Sequence, residues 1–146
     1  MDFSIKGKSR KPPGRSLELA RVLLVDDDAT SRLTLQAVLR AGGYSVDAAA
    51  TTDEALGKLH ERQYELVLSD MSTESQEAGL EVIAHAKLMD YQPAVAVVTS
   101  YRKTSGSDGS DSRLVEPEDL PGLLGRVADL ISQRAARMVQ GQLKQA

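Results

Sequence analysis

Short aliphatic runs alternate with amphipathic stretches along most of the chain. Val22-Leu23-Leu24-Val25 is apolar, rich in β-branched residues and closed by three aspartates, which predicts a buried strand. Ser31 to Ala41 spaces Leu33, Leu35, Ala37, Val38 and Leu39 at helical intervals and stops at Gly42-Gly43. Tyr44 to Ala48 predicts a second strand. Thr51 with Glu54 three residues on is a capping box, and it opens a helix to about Arg62 with Ala55, Leu56 and Leu59 inward. Leu66-Val67-Leu68 is a third strand that again runs into an aspartate, Asp70. A polar loop over 71–77 leads to a helix from Leu80 to about Met89. Ala94 to Val98 is a fourth strand that ends at Thr99-Ser100. Residues 102–112, rich in Gly and Ser, predict a loop, and Leu114-Val115 a weak fifth strand. Glu118, Asp119 and Pro121 suit the start of a last helix that runs through Leu123, Val127, Leu130 and Ile131 as far as Val139.

Strands that alternate with helices of about ten residues imply an α/β fold, a parallel sheet covered on both faces. In such sheets, ligands bind outside the carboxyl ends of the strands. The oxygen-bearing groups sit where those ends fall: Asp26-Asp27-Asp28, Asp70 and Thr99-Ser100. Carboxylates gathered at one edge repel each other, and a hard divalent cation such as Mg²⁺ relieves that repulsion. A carboxylate beside such a cation can attack a phosphoryl group, and a neighbouring hydroxyl can bind the phosphoryl oxygens.

Composition narrows the alternatives. The 146 residues contain no cysteine, which excludes disulfides and thiolate chemistry, and only two histidines, His60 and His85. His85 falls within a helix, where a solvated or partly packed role is the ordinary one. Residues 1–16 set five basic groups against one acid, whereas the rest of the chain carries thirteen basic and twenty acidic groups. An acidic body does not suit nucleic-acid binding, and the basic segment reads as a solvated arm. No run approaches a membrane span or a signal peptide, so a cytoplasmic protein is expected.

Three segments resemble the receiver domains of response regulators: Leu23-Leu24-Val25-Asp26-Asp27-Asp28, Tyr64-Glu65-Leu66-Val67-Leu68-Ser69-Asp70-Met71, and Val97-Val98-Thr99-Ser100. The resemblance implies a doubly wound (βα)5 domain with a five-stranded parallel sheet in 2-1-3-4-5 order. It implies a non-enzymatic, phosphate-operated switch of two-component signalling. Asp70 would be the phosphoacceptor. Asp26, Asp27, Asp70 and the backbone carbonyl of Ser72 would hold Mg²⁺, and Thr99 would be the switch hydroxyl. The phosphoryl donor would be a sensor histidine kinase or a phosphotransfer protein.

Departures from the family pattern matter. Glu116 stands before Pro117 where the family carries a lysine, so a charge that attracts phosphate is replaced by one that repels it. At ~4 Å and an effective dielectric near 20, each such pairing amounts to roughly 4 kcal/mol. Lys103 or Arg113 could compensate. Arg113 also occupies the place of the usual switch aromatic, and the segment between Thr99 and Pro117 is short enough that the fourth helix is expected to be reduced or absent.

The expected organisation is a basic tail over 1–18, a receiver over 19–135 and a helical extension or tail over 136–146. Few residues follow the last helix, so the signal is expected to pass by contact with a downstream protein, and Arg134 to Lys144 offers a surface for a partner or a second copy. Two other readings compete. One is a pseudo-receiver that binds a partner without phosphorylation. The other is a haloacid-dehalogenase-type phosphatase, because Asp26-Asp27-Asp28-Ala29-Thr30 fits an Asp-x-Asp-x-Thr opening with Asp26 as nucleophile. The phosphatase reading leaves Asp70 without a role.

Overall fold

The computed structural model describes residues 20–70, 76–98, 113–115 and 120–145. Strand β1 is Arg21–Asp26, and its five residues after Arg21 are buried. Helix α1, Ala29–Ala41, starts two residues before the periodicity suggested because Asp28 caps it, Oδ2 accepting from the Ser31 amide at 2.9 Å. Gly42 closes the helix, and Gly43 has φ 102, a conformation that favours a residue without Cβ.

Strand β2 is Ser45–Ala49 and helix α2 is Thr52–Glu61. The expected capping box forms: Thr51 Oγ1 accepts from the Glu54 amide at 3.1 Å, and Glu54 Oε1 accepts from the Ala50 amide at 2.9 Å. Strand β3, Leu66–Asp70, is buried throughout. Helix α3, Gln76–Lys87, begins earlier than Leu80 and stops before Met89, and strand β4 is Ala94–Val98.

These four strands run parallel in the order β2-β1-β3-β4, so the chain reverses its direction of travel across the sheet after β2. A three-residue segment, Arg113–Val115, pairs in parallel with β4 and is labelled β5. Helix α4 runs from Leu120 to Gln145, past the Val139 limit. Within this helix Arg134 donates to the Tyr91 carbonyl at 2.6 Å and the Gln92 carbonyl at 2.9 Å.

Strand alternation divides the core. Val22, Leu24, Leu66, Leu68, Ala96 and Val98 face α1 and α4 together with Leu35, Leu39, Leu123 and Val127. Leu23, Val25 and Val67 face α2 and α3 together with Ala55, Leu59, Val82 and Ala86. Both faces are mainly aliphatic, with Tyr44 in one and Tyr64 in the other, and they hold the carboxyl ends of β1 and β3 at one edge. The expected tail, the loop 102–112 and any fourth helix lie outside the described residues.

Candidate functional site at the carboxyl edge of the sheet

The β1–β3 register puts Asp26 beside Asp70, the last residue of each strand. Both are buried, Asp26 completely and Asp70 at 5% exposure. Asp26 Oδ1 accepts from the Asp28 amide at 2.9 Å, whereas Oδ2 is buried without a hydrogen-bond partner among the described residues. The Ser31 hydroxyl stands between the two strand ends and donates to Asp70 Oδ2 at 3.4 Å. The Arg32 guanidinium donates to the Asp26 carbonyl at 2.9 Å and pins the end of β1 to the first turn of α1.

Burial pushes the Asp26 carboxyl up to about 6, aided by the charges of Asp70 and Asp28. The nearby Ser31 hydroxyl and the Asp28 amide pull the other way and are outweighed. A fully buried carboxylate with one unpartnered oxygen is what a bound cation would satisfy.

Next to this pair lies a small cavity of about 20 Å³. It is lined by Asp27, Thr51, Thr52, Ser69 and Asp70 with the apolar Val25, Ala78, Gly79 and Val82 behind them. That is room for a water-sized group rather than an organic substrate. Ser69 Oγ reaches the Gly79 carbonyl at 3.5 Å, which ties β3 to α3 just below the notch. A larger cavity of about 410 Å³ lies away from these acids, among Lys87, Pro93, Leu130 and Arg137. Among its described lining residues there is no carboxylate, in contrast to the smaller notch.

Among the described residues, no cluster of three or more His, Asp or Glu side chains closes on one point to hold a metal ion. The fold brings together Asp26 and Asp70, with Asp27 on the adjoining cavity wall. Mg²⁺ is commonly held by one or two carboxylates completed by water and phosphate oxygens, so this donor set suits it. Of the other residues singled out from sequence, Ser72, Thr99, Ser100, Lys103, Glu116 and Pro117 lie outside the described residues. Arg113 is placed only as the first residue of β5.

Asp28 serves as the helix cap. Ser31, Arg32 and Thr52 were not flagged from sequence. The first two are among the opening residues of α1, and the turn after β1 brings that helix end back over the strand end. A polar residue three positions after a capping aspartate was the available signal for Ser31. His85 is half-buried, in keeping with a partly packed role, and it also pairs with His60 across α2 and α3.

The response regulator receiver domain family matches residues 22–108. The transcriptional regulatory protein ZraR of Klebsiella oxytoca is 31% identical over 111 residues, covering 73% of this chain and 25% of that protein. PrrA of Mycobacterium leprae is 31% identical over 121 residues, covering 80% of this chain and 52% of that protein. The chain thus spans about a quarter to a half of the length of these relatives. Among solved structures, the response regulator TrrA of Thermotoga maritima, in complex with Mg²⁺ and BeF, is 29% identical with a TM-score of 0.65, covering 77% of this chain and 99% of TrrA. A CheY-like receiver domain protein of Methanospirillum hungatei is 25% identical with a TM-score of 0.67, covering 82% of this chain and 99% of that one.

Proposed function

Because the chain belongs to the response regulator receiver domain family, we propose that it is a phosphate-operated switch in which Asp70 accepts a phosphoryl group from a phosphohistidine. The observation that carries the reading is the register pairing of Asp26 with Asp70 at the carboxyl edge, beside a notch of ionic size. An Asp70 carboxylate oxygen attacks phosphorus, the bond from phosphorus to the donor imidazole nitrogen breaks, and its electron pair stays on that nitrogen. The donor is a sensor histidine kinase or a phosphotransfer protein.

Asp26, Asp27 and Asp70, with the carbonyl of Ser72, would hold Mg²⁺, which neutralises phosphoryl charge when bound. Asp26 contributes the buried, unpartnered oxygen. The Ser31 hydroxyl restrains the Asp70 side chain and keeps its reacting oxygen in place. Thr99 follows the phosphoryl group. In this reading residues 19–135 form a five-stranded receiver in 2-1-3-4-5 order, with β5 as its edge, between a basic segment and the α4 extension. The receiver acts in the cytoplasm by protein contact.

The phosphatase alternative is not taken up. Asp26 is wholly buried and tied to the Asp28 amide, a poor position for a nucleophile. The pseudo-receiver reading keeps its support from the sequence: Glu116 in place of the lysine, Arg113 in place of the switch aromatic, and the short Gly- and Ser-rich segment before them.

Intact mass after incubation with acetyl phosphate and Mg²⁺ separates the two. The switch reading expects one phosphoryl on the wild type, none on Asp70→Ala, and a higher yield on Glu116→Lys. A wild type that stays unmodified with small-molecule and phosphohistidine donors alike, while still capturing a partner, establishes the pseudo-receiver.

A further inference from the structure

The chain's two histidines are 25 positions apart in sequence, yet the fold brings them together away from the acidic edge. His60 is in the last turn of α2, and His85 is in the last turn of α3. Their Nε2 atoms are 2.9 Å apart, and the rings meet nearly edge to face, with centroids at 5.0 Å and an interplanar angle of 76°. His60 is exposed and His85 half-buried, so the pair opens to solvent. The helices beneath are fixed by Ala55, Leu59, Val82 and Ala86, all fully buried, so the two imidazoles stand on a rigid base.

The geometry points to a two-histidine site for a late first-row divalent cation, bridging α2 and α3. Imidazole nitrogen suits Ni²⁺, Cu²⁺ and Zn²⁺ and is a poor ligand for Mg²⁺ or Ca²⁺. Two nitrogens at about 2.05 Å from one ion and at about 90° to each other are about 2.9 Å apart, the separation seen here. That right angle belongs to tetragonal ions, Ni²⁺ or Cu²⁺. A tetrahedral Zn²⁺ site would spread the nitrogens to about 3.3 Å.

In the metal-free protein the two Nε2 atoms share a hydrogen bond, and metal binding requires both Nε2 lone pairs to face the ion, with the ring N–H on Nδ1 of each. No third His, Asp or Glu completes a cluster among the described residues, so the remaining positions are open to solvent. A bound ion would staple α3, the helix that follows the Asp70 strand, to α2.

The test is calorimetric titration of the full chain with Ni²⁺, in excess Mg²⁺ so that the carboxylate notch is already supplied with its preferred ion. The site predicts one Ni²⁺ per chain and a rise in Tm with Ni²⁺. His60→Gln and His85→Gln should each weaken binding at least tenfold and abolish the Tm rise, while leaving the metal-free Tm within a degree or two of wild type. His60 is exposed, so its substitution keeps the fold even if that of His85 does not. Failure to take up Ni²⁺ at tens of micromolar overturns the assignment, as does uptake that His60→Gln leaves unchanged.

Discussion

Replacing Asp26 with Asn should make the metal-free protein more stable at neutral pH, although it removes a residue of the proposed site. Asp26 is completely buried, and its carboxyl is raised from 3.8 to about 6, chiefly by burial and then by the charges of Asp70 and Asp28. A raised acid binds its proton more tightly when folded than when unfolded. Between about 4 and 6, stability therefore falls as pH rises, and above about 6 the full cost of the ionised group is present. At about 1.4 kcal/mol per pH unit, that cost is about 2–3 kcal/mol. Asn has nearly the same shape. Its Oδ1 can still accept from the Asp28 amide, and its N–H group replaces the oxygen that has no partner.

Urea unfolding in EDTA at several pH values measures the difference directly. Asp26→Asn should exceed the wild type by about 2–3 kcal/mol at pH 7.5, with the gap closing towards pH 4. Added Mg²⁺ should narrow the gap by stabilising the wild type more. A variant no more stable than wild type at pH 7.5, or a gap independent of pH, would refute the argument that buried charge strains this edge.

Other consequences are local. Thr51→Ala removes the cap of α2 and should cost about 1 kcal/mol, read from the urea midpoint, with Thr51→Ser restoring most of it. Gly43→Ala forces a Cβ onto a backbone at φ 102 and should cost about 1–2 kcal/mol in the same assay, whereas Gly57→Ala, in open space within α2, should be neutral or slightly stabilising. Tyr64→Phe keeps the buried ring but loses the 2.7 Å bond to Asp47, which still has the exposed Arg62 at 3.7 Å; a loss of about 1–2 kcal/mol in thermal unfolding is expected. Arg134→Ala should leave the core intact but fray the end of α4, seen as faster amide exchange beyond residue 134.

The site works by opposing two requirements. The aliphatic layers on both faces hold β1 and β3 in a fixed register, and that rigidity forces Asp26 and Asp70 into proximity. Relaxing the repulsion by moving either strand end would uncover core residues such as Leu24 and Leu68, each fully buried and worth about 2–5 kcal/mol when truncated. The packing therefore outweighs the carboxylate strain, and the two carboxylates stay side by side at this edge.

Several features could be read from the amino-acid order alone because they depend on neighbours within a few positions. The β-branched runs Val22–Val25 and Leu66–Leu68, the Thr51–Glu54 capping box and the Gly42-Gly43 stop are of this kind, and so is the placement of aspartates just after two of the strands. Parallel pairing of those strands then put Asp26 and Asp70 at the same edge by rule. Other features required the packed chain. Helix α1 starts at Ala29 because the Asp28 side chain folds back onto the Ser31 amide. Helix α4 is tied to the turn before β4 where Arg134 finds the carbonyls of Tyr91 and Gln92, some 40 positions away. The Ser31–Asp70 bond, the raised pKa of Asp26 and the meeting of His60 with His85 all depend on distances between elements and on exclusion of water. Local order carries propensities and caps, but desolvation and long-range contact exist only once the sheet and its two helical layers have closed.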